Sequence, residues 1–366
     1  MGDSHANGST IENCYVRASV TVTGGAGGGG ILGRALSGAK MKNCYFAGTA
    51  QGSPLCSQNQ SNATFTNCYY DSTLFTGSAE RAGVKGLSTA QMQSWAAAYA
   101  LNGKNYGSGT AWAYDAAAND GYPSFGELRA AADWGEVGFG VDADLIAGKP
   151  AETGDNEANA FQLGSEEALA WFAYKSNTGD PKIAYTKCAK ITASALDLTG
   201  TKYGGTPDAK LQWSSIAKVG PGHSKAPGTY GGTFDGQGRV IKNLYQNNLS
   251  APGKGGWGLF AFLHGGTVKN VVLEDVDINV SCASGYITVG GIVSQAEANA
   301  VISGCAVNGG TIKGASPTEM TGGIVGDVHE GGAAIENCYV RANVGEDALR
   351  KHGGGIVRRY YNPVTC

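Results

Sequence analysis

Gly322-Gly323-Ile324-Val325-Gly326, followed by Ile335-Glu336-Asn337-Cys338-Tyr339-Val340, is the stretch that decides how this chain folds. Its second half recurs from end to end. Early copies are Ile11-Glu12-Asn13-Cys14-Tyr15-Val16, Met41-Lys42-Asn43-Cys44-Tyr45-Phe46 and Phe65-Thr66-Asn67-Cys68-Tyr69-Tyr70. Later copies are Ile241-Lys242-Asn243-Leu244-Tyr245, Val268-Lys269-Asn270-Val271-Val272 and Ile302-Ser303-Gly304-Cys305-Ala306-Val307. The pattern is apolar, polar, Asn, small apolar, then aromatic or apolar, with the apolar residues alternating inward as in a half-buried strand. The Asn suits a corner, where its side chain bonds backbone or stacks in a ladder. The glycine half recurs as Gly29-Gly30-Ile31-Leu32-Gly33, Gly290-Gly291-Ile292-Val293 and Gly354-Gly355-Ile356-Val357, with a looser copy at Gly256-Trp257-Gly258-Leu259-Phe260. Its paired glycines are expected to supply a turn with positive φ, after which the aliphatic pair returns to the core. Alternating the two motifs about every 24 to 35 residues predicts an all-β solenoid.

Composition agrees. The chain has 366 residues, 59 of them Gly, with 42% hydrophobic and only 16% charged. Glycine without a Gly-X-Y period excludes collagen, and regular apolar recurrence argues against disorder. A net charge of −3, with acids and bases scattered, gives no basic stripe for nucleic acid or an anionic membrane. No apolar run approaches the roughly 20 residues that span a bilayer, so membrane insertion is not expected. Met1-Gly2-Asp3-Ser4-His5 is no signal peptide.

The two motifs together resemble the GLUG-motif repeats of large bacterial surface proteins, found in adhesin-like, haemagglutinin-like and immunoglobulin A peptidase-associated regions. Gly232-Thr233-Phe234-Asp235-Gly236-Gln237-Gly238-Arg239-Val240-Ile241-Lys242-Asn243-Leu244 resembles the stretch that introduces such repeats. The resemblance covers about three quarters of the chain. It implies a right-handed parallel β-helix in two blocks, secreted or displayed at the cell surface, and it brings no catalytic residues.

The order of parts is informative. Residues 1–127 read as the C-terminal half of one module: repeats, a helix around residues 89–102, then closing strands at Trp112-Ala113-Tyr114-Asp115 and Asp120-Gly121-Tyr122-Pro123. Ser88 and Gln91 form a capping box for that helix, and Asn102-Gly103 stops it. Residues 128–158 read as a linker. Residues 159–366 read as the N-terminal half of the next module, with a helix around residues 165–177 before the repeats. Ile335 to Ala342 repeats Ile11 to Ala18 letter for letter. This predicts a tandem unit of about 325 residues, here cut mid-module. The tail Arg358 to Cys366 departs from the pattern.

Candidate chemistry is sparse. The nine cysteines cannot all pair within the chain. Cys14, Cys44, Cys68, Cys305 and Cys338 share one repeat position and are expected as buried, stacked thiols forming the structural core; disulfides and metal ligation are the alternatives, and there is no C-x-x-C pair. His5, His223, His264, His329 and His352 lie scattered in glycine-rich turns, with no His-Glu-x-x-His helix and no Gly-x-Ser-x-Gly elbow. Asp235-Gly236-Gln237-Gly238 reads as a tight turn rather than a calcium or phosphate loop. Glu274, Asp275 and Asp277 form the best acidic cluster, and paired carboxylates on adjacent rungs are what a β-helix glycosidase or lyase would use. They also alternate with Val276 and Ile278, as on a strand with one solvated face. The sequons Asn7-Gly8-Ser9 and Asn62-Ala63-Thr64 are short enough to arise by chance. The 17 Tyr and 6 Trp exceed what thin rungs bury and suit contact with a glycan or protein of a host or matrix; the equal alternative is that many of the tyrosines cover the core from a neighbouring rung. The expectation is therefore a non-enzymatic adhesin, spacer or fibre subunit with no catalytic residue, metal or cofactor and with no binding residue assigned. The alternative is a carbohydrate-active β-helix enzyme. Identical terminal strands also suggest copies of the chain joined head to tail.

Overall fold

The repeat's asparagine turns the chain through a left-handed corner. Asn13, Asn43, Asn67, Asn243, Asn270 and Asn337 all have φ between 50° and 59°. A Cβ makes this region costly for most residues, but Asn tolerates it and Gly occupies it freely. That explains why the copy at Ile302 carries Gly304, with φ 62°, in the same place. A short strand ends before each corner and another starts after it. The side chains then ladder: Asn43 Nδ2 donates to Asn13 Oδ1 at 3.2 Å and Asn67 Nδ2 to Asn43 Oδ1 at 3.0 Å.

The computed structural model describes residues 3–4, 8–23, 28–35, 38–59, 63–77, 79, 81–178, 185–218, 228–250, 255–283, 285–316, 318–345 and 353–360. The chain is predominantly β and divides into two units, Met1–Ala130 and Ala131–Cys366. In the first, successive repeats contribute one strand each to three parallel sheets. One sheet holds Thr10–Glu12, Lys40–Lys42 and Thr64–Thr66; another holds Tyr15–Val16, Tyr45–Phe46, Cys68–Asp71 and Val84–Leu87. The second unit has four parallel sheets built the same way. In the longest, Phe161–Leu163, Ala189–Ile191, Thr233–Asp235, Thr267–Lys269, Ala300–Ser303 and Ala333–Glu336 follow one another.

Register puts equivalent residues side by side. Ile11 faces Met41, which faces Phe65. Phe234, Val268, Ile302 and Ile335 form one column of the second unit, and Ile241, Leu273, Val307 and Val340 another. Most of these side chains are fully buried, and each such aliphatic contributes about 1.5–3 kcal/mol. The glycine pairs work differently from the sequence expectation. None of Gly30, Gly291 or Gly323 has positive φ. A Cβ on Gly323 would instead stand 2.2 Å from the Gly355 carbonyl oxygen, one on Gly291 2.4 Å from that of Gly323, and one on Gly30 2.2 Å from that of Pro54. Backbone of the next repeat passes too close for any side chain, so glycine is selected by space rather than by φ.

Around residues 89–102 the chain forms two short helices, Thr89–Met92 and Trp95–Leu101, because Ser94 caps a second start. The Ser88–Gln91 capping box forms. The later helix runs Glu166–Thr178. Residues 128–158, expected as a linker, contain a further helix, Trp134–Asp142, capped by Asp133. Trp134, Val137 and Val141 give it a buried stripe at helical spacing, which glycines and acids disguised. It lies against the Glu166–Thr178 helix, with Trp171 Nε1 donating to Asp142 at 3.0 Å. The tail is partly regular as well: Val357–Tyr360 pairs in parallel with Val325–Val328. The rest of it, 361–366, lies outside the described residues.

Candidate functional site

The octapeptide that occurs twice has two settings. In the first unit it opens the stack of repeats and its outer face is covered. Tyr15 stacks on Tyr45, with ring centroids 5.1 Å apart and 9° between planes. Trp112 and Phe125, from the antiparallel pair Trp112–Ala113 and Ser124–Phe125, lie 5.9 and 5.4 Å from Tyr15. Trp112 Nε1 donates to Asn43 O at 3.1 Å and Tyr45 OH to Pro123 O at 2.7 Å, fastening this cover. Arg17 lies over the Tyr122 ring at 4.6 Å and donates to Asn119 and Asp120. Behind it, the fully buried Asp71 accepts from Tyr122 OH, Thr89 Oγ1 and the backbone of Thr73. Burial and that carboxylate push Tyr122 up to about 12.

In the second unit the same eight residues contribute to the last described strands of two sheets. Tyr339 is 52% exposed, and its hydroxyl accepts from Asn308 Nδ2 at 2.9 Å. Phe125 in the first unit is 61% exposed, the highest fractional exposure of an aromatic among the described residues.

The five core cysteines sit beside one another by register. Cys44 and Cys68 are buried with Cys14 half-buried above them, and buried Cys305 adjoins half-buried Cys338. All are thiols that donate to carbonyls of their own or the preceding repeat: Cys68 Sγ to Met41 O at 3.4 Å, Cys338 Sγ to Glu336 O at 3.2 Å. In the second pair the neighbouring Cys305 thiol holds Cys338 down, at about 7. Cys305, deeper and facing that partner, is raised.

The carboxylates do not converge. Glu274 pairs with Lys242 at 3.4 Å, Asp275 occupies a left-handed corner with φ 52°, and Asp277 receives Asn247 Nδ2 on both oxygens at 2.8 and 2.9 Å. Asp235 Oδ1 is taken up by Gln237 N and Asn270 Nδ2, so Asp235 to Gly238 is a turn, with positive φ at Gln237 and Gly238. His264 Nδ1 lies 2.8 Å from the buried Glu297, and His329 belongs to a neighbouring turn. His5, His223, His352 and both sequon asparagines lie outside the described residues. Among the described residues no group of three or more His, Cys, Asp or Glu is placed to hold a metal ion. No helix among them is long and apolar enough to cross a membrane. A cavity of about 10 Å³ under Ile11, Leu32, Met41 and Phe65 has room for little more than one water.

One polar cluster escaped the sequence reading. Buried Asp327 accepts two bonds from Arg359, at 2.8 and 2.7 Å, and one from Tyr286 OH. Burial first, then Asp327, pushes Tyr286 well up. The signal was the place of Asp327 two residues after Val325, in a strand otherwise apolar.

No family model matches the chain, and no curated protein matches it. Among solved structures it is similar to one described as a "putative immunoglobulin A1 protease from Bacteroides ovatus", with a TM-score of 0.37 and 19% identity. That match spans 58% of this chain and 64% of the other, less than two thirds of either.

Proposed function

We propose that this chain is part of a secreted or cell-surface repeat protein of the GLUG-motif kind, acting as an adhesin or spacer without chemistry of its own. In this reading its parallel strands are the coils of a right-handed β-helix. The observation that carries it is the in-register pairing of equivalent residues from successive repeats, such as Phe234, Val268, Ile302 and Ile335. Each coil adds about 4.8 Å to a rod whose faces repeat the same surface. Such a rod holds exposed aromatic rings like those of Phe125 and Tyr339 away from its point of attachment, where a glycan or protein can meet them. The carbohydrate-active alternative is less well supported, because Glu274 and Asp277 are engaged by Lys242 and Asn247. Antibody labelling and protease shaving of intact source cells test the location. Incubation with a glycan panel tests the absence of turnover. Release of reducing ends that Asp275→Asn or Asp277→Asn abolishes would overturn it.

A further inference from the structure

Packing does not require a thiol at the position that follows the left-handed corner. Val271 fills it one repeat before Cys305 and is fully buried there, with Val272 opposite Ala306. Two consecutive repeats then carry cysteine in that place. Cys305 follows Gly304 and Cys338 follows Asn337, corners with φ of 62° and 53°, and the next residues, Ala306 and Tyr339, are register partners. Both cysteines therefore leave the same kind of corner at the same level of neighbouring parallel strands. Equivalent α-carbons on such strands stand about 4.8 Å apart, inside the window of about 4.4–6.8 Å that a disulfide spans. Neither thiol is held by a strong competing bond. Cys305 Sγ donates to Ser303 O at 3.4 Å and Val268 O at 3.7 Å, and Cys338 Sγ to Glu336 O at 3.2 Å and Ile302 O at 3.7 Å. A thiol is a weak donor, so little is lost when these bonds go. The adjacency lies between two repeats inside the second unit, and chain before or after them does not alter it.

We propose that Cys305 and Cys338 are a redox-active pair, which a low-molecular-weight disulfide such as oxidised glutathione joins into a disulfide between successive repeats. The chemistry rests on the register of the strands and not on the cellular location or binding role proposed above. Cys338 reacts first, because the neighbouring Cys305 holds its thiol down at about 7 and much of it is thiolate at neutral pH. That thiolate attacks one sulfur of the reagent disulfide, and the other sulfur leaves as a thiolate that takes up a proton. Cys305 then gives up its proton and attacks the Cys338 sulfur of the mixed disulfide, expelling the second reagent thiol. The two cysteines lose two electrons and the reagent disulfide gains them. A disulfide also needs its β-carbons within about 4.5 Å, a few tenths closer than parallel neighbours hold them. Closing the bond thus draws the two corners together, and the strain leaves it easy to reduce. The pair is a reversible clasp rather than a permanent staple.

The full chain tests this in two samples, one equilibrated while folded with oxidised glutathione at neutral pH and one refolded from urea in the same buffer, so that burial of Cys305 does not decide the outcome. Thiols left over are alkylated, and the protein is digested and mapped by mass without reduction. The expected result is one peptide pair joining Cys305 to Cys338, with alkylation of Cys338 lost and then restored by dithiothreitol. Cys188, which has Ala160 beside it in register, should be recovered as an alkylated thiol. Cys338→Ser should abolish the joined pair. Recovery of Cys305 and Cys338 as thiols, or as separate glutathione adducts, from both samples would overturn the proposal and leave the register standing. A bond from either of them to Cys188 in protein with an unchanged thermal midpoint would overturn the register as well.

Discussion

Ile11 to Ala18 and Ile335 to Ala342 are the same peptide in two different units, and they differ in what lies against them. Tyr15 is held by Tyr45, Trp112 and Phe125, and Arg17 by Asn119, Asp120 and Tyr122. Tyr339 has the Asn308 amide and otherwise faces solvent. The strand, the left-handed corner and the inward column are nevertheless the same in both. Local sequence thus determines the rung, while the cover over its outer face comes from residues about a hundred positions away.

Removing that cover should cost most. Trp112→Ala is expected to destabilise the first unit by about 3–5 kcal/mol, read as a drop in thermal midpoint, because it empties a site between Tyr45 and Phe125. Tyr339→Ala should change stability by less than about 0.5 kcal/mol. Equal losses would mean that the two settings are equivalent. Next come the glycines. Gly323→Ala should cost about 1–3 kcal/mol, since its Cβ meets a carbonyl oxygen. Gly355→Ala, at the same position of the last repeat and with nothing within 4 Å, should be silent in the same melting experiment.

The corner gives a smaller contrast. Asn43→Ala should lose about 1–2 kcal/mol, through a left-handed Cβ and two broken ladder bonds, and Asn43→Gly should recover the backbone part. At Asn337, for which no ladder bond is described, alanine should lose the backbone part alone and glycine should lose nothing. The smallest effect concerns reactivity. Cys338 should be alkylated first at neutral pH, and Cys305→Ser, which replaces the thiol that holds Cys338 down, should change that rate more than the stability.

The rungs were legible because their side chains alternate and their copies are nearly identical. The asparagine corner could be read too, although only Gly304 reveals that backbone conformation is what the position requires. The role of Gly291 and Gly323 was hidden, because one letter serves both for positive φ and for close approach. The Trp134–Asp142 helix was hidden by glycines that pack against backbone, as Gly138 does at 2.4 Å from Ala170 O. Asp71 was missed because nothing local marks it as a buried carboxylate, and Asp327 because its place in an apolar strand does not name a partner. Their partners, Tyr122 and Arg359, are 51 and 32 residues away.

The parallel ladders also set how such a stack would respond to tension. Hydrogen bonds between repeats point along the direction of stacking, so a pull on the last strand loads them one after another, as in opening a zip. Val301 lies opposite Ala334, 33 residues on. Each repeat peeled away would therefore release about 110 Å of chain at some 3.3 Å per residue. The stack would yield in successive steps at modest force and absorb a sudden load by lengthening, while the columns of the remaining repeats stay intact.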